Sequence, residues 1–83
     1  MLFIDDVVTY DGTSDYINYL NDYYETKGRN RLVENEQYYI HQIDYEYSDD
    51  EVELLYTIKN INTGVIVGFM FNEWELEKTK VNQ

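Results

Sequence analysis

Ten consecutive residues, Asp44-Tyr45-Glu46-Tyr47-Ser48-Asp49-Asp50-Glu51-Val52-Glu53, hold six carboxylates. Groups of this kind at this density can ligate a hard cation, trade protons as an acid–base pair, or offer fixed negative charge to a basic surface. The cation reading fails where it is specific. An EF-hand loop needs acids or amides at positions 1, 3 and 5, glycine at 6 and glutamate at 12. Counted from Asp44, those later positions hold Ser48, Asp49 and Leu55. Acid–base work needs a cleft that perturbs a carboxyl pKa, and a chain of 83 residues leaves little room for one. Fixed charge is the chemistry that remains.

The spacing favours it. Alternate residues of a strand lie roughly 6.5–7 Å apart on one face, on the order of the separation of neighbouring phosphates along a nucleic-acid strand. Asp44 and Glu46 would share a face, as would Glu51 and Glu53, with Asp49 and Asp50 at the turn. Tyr45 and Tyr47 are interleaved with them and suit a contact surface, because tyrosine offers a large area and a hydroxyl at little entropic cost. Glu73, Glu75 and Glu77 repeat the alternation if their segment is extended. Asp15, Asp22 and Glu25 would line an exposed side of a helix, with Asp11 just before it. Other chemistries lack their residues. There is no cysteine, His41 is the sole histidine, and Gly12, Gly28, Gly64 and Gly68 are too scattered for a phosphate loop. The reading is no catalytic residue, no cofactor and no metal.

The elements that would carry these side chains follow from periodicity. Residues 2–10 read as a strand, with Asp11-Gly12 as a turn. Thr13-Ser14 offers a helix N-cap, and Ile17, Leu20 and Tyr24 recur at helical spacing up to a stop at Gly28, so residues 14–27 are predicted as an amphipathic helix. Residues 28–36 form a polar connector with Arg29 and Arg31, docked by Leu32 and Val33. Residues 37–47 and 52–59 alternate as strands. In the first, Tyr39, His41, Ile43, Tyr45 and Tyr47 would occupy one face and Tyr38, Ile40, Gln42, Asp44 and Glu46 the other; in the second, Val52, Leu54, Tyr56 and Ile58 share a face. Residues 65–71 are almost wholly apolar, which predicts a strand buried on both sides. The expectation is an α+β domain in β-α-β-β-β order, an antiparallel sheet with one helix packed on it. The alternative is an SH3-like small β-barrel, in which residues 5–8 and 71–76 are the first and last strands and 11–30 an elaborated loop.

Composition bounds the rest. The length fits one domain over residues 1–77 with a frayed tail at 78–83. Without cysteine, stability rests on a hydrophobic core, extended by a homodimer interface if one forms. Absent cysteine fits a reducing, intracellular setting. No signal-like start and no membrane-length apolar run is present. Seventeen carboxylates against six Lys/Arg give a net charge of −11. That balance opposes direct nucleic-acid binding, which depends on neutralising phosphates with Lys and Arg. It favours a basic partner.

In small size, strong negative charge, absence of cysteine and carboxylates mixed with aromatics, the chain resembles the acidic DNA-mimic inhibitor proteins, many of them encoded by bacteriophages. The resemblance is one of composition, since that class shares neither motif nor fold. It implies an inhibitor in the cytoplasm of an infected host. Such an inhibitor occupies the nucleic-acid site of a basic protein: a histone-like HU protein, an RNA polymerase, a nuclease or a Cas effector. The competing expectation is a small acidic interaction module without mimicry.

Overall fold

The computed structural model describes residues 1–26, 32–33 and 35–79, the side chains of 24–26 excepted. The architecture is α+β, one antiparallel sheet and one helix. The chain runs β1 (Val7–Thr9), α1 (Asp15–Thr26), β2 (Tyr38–Ser48), β3 (Glu51–Asn60), a 3-10 turn (Glu73–Glu75) and β4 (Glu77–Lys78). The sheet order is β3-β2-β1-β4. Among the described residues no helix is long and apolar enough to cross a membrane.

The first strand is shorter than its apolar residues predict. Asp6 is the cause: its carboxylate accepts the Phe3 N–H at 2.8 Å and its own N–H donates to the Phe3 carbonyl at 3.0 Å, while Asp5 takes φ 71°. Short acidic side chains compete with the ladder in this way. What remains pairs Val8 with Tyr38 on one side and with Lys78 on the other. Lys78 is therefore a sheet residue, not the start of the tail; residues 80–83 lie outside the described residues.

The helix starts where its cap predicts. Ser14 Oγ accepts the Ile17 N–H at 3.3 Å, and Asp15 stands in the first turn, favoured there by the helix dipole. Ile17 is buried and Leu20 half-buried, so this side docks on the core. Tyr10 Oη accepts the Ser14 N–H at 3.0 Å and reaches Asn18 Oδ1 at 2.8 Å, tying β1 to the first turn. The Asn21 amide holds both backbone groups of Leu32 at 2.8 Å. Leu32 is buried, but Val33 is exposed and does not dock the connector. The expected stop at Gly28, with Arg29 and Arg31, lies outside the described residues.

The long hairpin of β2 and β3 corrects the predicted faces. The ladder slips between Ile40 and Gln42. This bulge moves the odd-numbered residues beyond it onto the face occupied by Tyr38 and Ile40 before it. Directly opposed residues of an antiparallel pair share a face. Ile43, Tyr45 and Tyr47 thus lie opposite Tyr56, Leu54 and Val52, in line with the core pair Ile40 and Ile58. The parity break spares the sheet from turning Ile43 to solvent.

Residues 65–71 are buried on one side only. Val67, Phe69 and Phe71 point inward, whereas Ile66, Gly68 and Met70 are exposed. The segment runs along β3 through isolated bridges, Lys59 to Ile66 and Tyr56 to Phe71. The buried set runs from Leu2, Val8 and Tyr10 through Ile17, Leu32, Tyr38 and Ile58 to Phe71 and Leu76.

Candidate functional site: an acidic hairpin and the groove beside it

From Asp44 to Leu54 no hairpin residue is buried. Five residue steps separate Asp44 from the turn, about 17 Å of extended strand, along which Leu54 still packs against the core. Its turn is made by Asp49 and Asp50, at φ 44° and 70°. Two successive positive φ values mark a type I′ turn, whose twist matches that of the flanking strands.

The ladder opposes Asp44 to Leu55, Glu46 to Glu53 and Ser48 to Glu51. All four strand carboxylates therefore lie on one face, and Asp49 and Asp50 crown it. Glu46 and Glu53 are direct cross-strand neighbours, an arrangement that costs stability between like charges. Asp44 is half-buried and accepts the Gln42 amide at 3.1 Å; the other five are exposed, and among the described residues none of the six is ion-paired. Tyr45 and Tyr47, 64% and 78% exposed, are on the opposite face. The expected mixed surface is in fact two-sided: carboxylates on one side, tyrosine, Leu54 and Val52 on the other.

The remaining acids are not one strip. Residues 73–75 form a 3-10 turn, so Glu73, Glu75 and Glu77 do not share a strand face. Glu73 is exposed and pairs with the N-terminal ammonium of Met1 at 2.9 Å, and Glu77 is exposed on β4. Glu75 turns inward and is 7% exposed. Its Oε1 accepts the Asn72 N–H at 2.8 Å, but its Oε2 is buried with no hydrogen-bond partner. The Asn72-x-x-Glu75 spacing was the available signal for this inward turn, since a glutamate at the third position can reach back to the first backbone N–H. Asp15 and Asp22 are exposed on α1, beside the exposed Tyr16, Tyr19 and Tyr23. The side chain of Glu25 lies outside the described residues. Asp11 is exposed before the helix, where the Thr13 hydroxyl and then the Thr13 N–H hold its carboxyl below the ordinary carboxylate range.

A groove that sequence reasoning did not foresee opens beside the hairpin, with a volume of about 650 Å³. Leu20, Leu55, Val67, Phe69 and Met70 supply apolar walls. Glu46, Glu53, Glu75, Asn72, Thr57 and Tyr16 supply the polar groups, and among the described residues no Lys, Arg or His lines it. Asn72 Oδ1 is buried and, like Glu75 Oε2, lacks a partner among the described residues. His41 is exposed at the bulge with no acid–base partner beside it among the described residues. No group of three or more His, Cys, Asp or Glu among the described residues is arranged to hold a metal ion.

The chain matches no protein-family model, and neither the curated proteins nor the solved structures include a significant match to it.

Proposed function

We propose that this chain is a binding protein whose acidic hairpin stands in for a nucleic-acid backbone and occupies the nucleic-acid site of a basic protein. One observation carries the reading. Asp44, Glu46, Glu51 and Glu53 share one face of the hairpin finger, Asp49 and Asp50 cap it, and no cation neutralises them among the described residues. A solubilising surface has no need to oppose Glu46 to Glu53 at a cost in stability. A surface built for a basic partner does, because complementary charge steers encounter and fixes register. The role is binding and not catalysis, and the setting is intracellular, where nucleic-acid-binding partners of the HU, polymerase, nuclease or Cas type are found.

The alternative, finer reading of the fold is the SH3-like barrel, with its last strand at Glu77–Lys78 and not over 71–76, where the 3-10 turn stands. Its support is connectivity: the 65–71 segment follows β3, the 3-10 turn carries the chain across, and β4 returns to pair with β1. In that reading α1 is an insertion between the first two strands.

The test is competition. A partner captured on the immobilised chain after nuclease treatment should be released by added duplex DNA at constant ionic strength. The free chain should give no gel shift with the same DNA. Retention of the partner in the presence of excess duplex would remove the mimicry and leave the second reading, an interaction module. The exposed Tyr19 and Tyr23 of α1 and Trp74, none of which lines the groove beside the hairpin, favour that module.

A further inference from the structure

The groove beside the hairpin has an acceptor chemistry that its own chain does not satisfy. Glu75 is more than nine-tenths buried, and its Oε2 has no donor among the described residues; Asn72 is half-buried, its Oδ1 is closed off and likewise without a donor, and both residues line the groove. A buried oxygen left without a donor costs roughly 1–3 kcal/mol, more when it is charged. Two exposed carboxylates, Glu46 and Glu53, stand over the same space as like-charged cross-strand neighbours. The occupant that relieves all four is cationic and rich in N–H donors.

We propose that this groove receives an arginine side chain of the partner protein, with its guanidinium shared between the Glu46–Glu53 pair and the buried acceptors of Glu75 and Asn72. Arginine fits better than lysine for three reasons. Its planar head carries five donors, enough for several acceptors at once, where an ammonium carries three. It is more weakly hydrated, so it costs less to bring beside Leu55, Val67 and Phe69, which would cover its stem. Its flat face can stack on Tyr16, which lines the groove and is 62% exposed. The proposal rests on the reading of the partner as a basic protein and adds how that partner is told apart: by one inserted arginine, not by diffuse charge.

The experiment is a titration of the isotopically labelled chain at low salt with acetyl-Gly-Arg-Gly-Arg-Gly-amide, its lysine counterpart, and calcium chloride, followed by backbone amide shifts. The arginine peptide should move the amides of Glu46, Glu53, Leu55, Asn72 and Glu75 and bind at least threefold more tightly than the lysine peptide. Glu75→Gln retains an oxygen for the Asn72 N–H and should weaken arginine-peptide binding about tenfold. If that variant does not fold, Glu46→Gln with Glu53→Gln, both exposed positions, should give at least a fivefold loss. Equal affinity for the two peptides, shifts confined to Asp49 and Asp50, unchanged affinity in the amide variants, or the same shifts with calcium would each overturn the proposal.

A last pair of arms separates this inference from the reading beneath it. Asp49→Asn with Asp50→Asn should weaken DNA-competed partner capture while leaving the groove's affinity for the arginine peptide within about twofold. Loss of partner capture in that tip variant, with no selective arginine binding to the parent chain, would sink the groove and leave mimicry standing. Selective arginine binding in the groove, with partner capture indifferent to DNA, would do the reverse.

Discussion

Tyrosine divides in this molecule according to where its hydroxyl can go. Tyr10 and Tyr38 are buried with the hydroxyl bonded to backbone groups of Ser14 and Val33. Tyr56 is buried with no well-formed hydrogen bond, and burial pushes its phenol above the ordinary range, the Leu2 backbone pulling weakly the other way. A buried orphan hydroxyl is a net cost, so Tyr56→Phe should stabilise the fold by about 1 kcal/mol. Urea denaturation measures this, and a destabilised variant would mean that the hydroxyl is satisfied in solution. Asp11 makes the opposite point about pH. Its carboxyl is depressed below the ordinary 3.8 by Thr13, so the stability it contributes is present above that value and is lost as pH falls through the lower, folded one. Wild type should therefore exceed Asp11→Asn in melting temperature near neutrality and converge with it in strong acid. A gap that persists below pH ~3 would show that Asp11 acts through something other than its charge.

At the scale of elements, the hairpin has been kept acidic at the expense of its own geometry. Asp50 at φ 70° occupies a position where type I′ turns prefer glycine. Asp50→Gly should raise stability by about 1 kcal/mol, the cost of holding a side chain in the left-handed region. Thermal melts would register it, and a lower melting temperature would argue that the turn relaxes elsewhere. Amides at Asp44, Glu46, Asp49, Asp50, Glu51 and Glu53 should leave the fold intact, because surface changes seldom exceed about 0.5 kcal/mol each. Partner association should slow and lose its salt dependence, since exposed charge acts mainly on encounter. Tyr45→Ala and Tyr47→Ala, on the other face, should act on dissociation if that face also meets the partner. Surface plasmon resonance separates the two rates, and an unchanged association rate in the amide variant would reduce the finger to a solvated edge.

For the molecule as a whole, −11 of net charge on 83 residues is self-repulsion. Screening should relieve it. Raising sodium chloride from about 0.05 M to about 0.5 M, where the Debye length falls well below 10 Å, should raise the melting temperature by several degrees. The same salt should weaken capture of a basic partner. Calorimetry and binding under matched conditions should thus move in opposite directions, and a melting temperature that falls with salt would mean that native ion pairs, among them Met1 with Glu73 and Lys78 with Asp6, outweigh the repulsion.

The amino-acid order by itself was enough for what depends on local chemistry. The α+β class, the helix capped at Ser14, the hairpin with its turn at Asp49-Asp50 and the gathering of six acids there follow from capping, alternation and turn residues close in sequence. Three outcomes depended on contacts distant along the chain. The bulge after Ile40 turned Tyr45 and Tyr47 away from the acids, because both Ile40 and Ile43 have to face a core completed by Tyr56 and Ile58. The run at 65–71 was left half exposed, because among the described residues it bridges β3 alone and only Val67, Phe69 and Phe71 reach the interior. Glu75 left its predicted row with Glu73 and Glu77, because the chain must cross from β3 to β1 within a few residues and does so in a 3-10 turn that folds this carboxylate inward. The groove exists only where these three meet. Its walls come from α1, β2, β3, the 65–71 segment and the turn, and no periodicity along one segment can report a space enclosed by five.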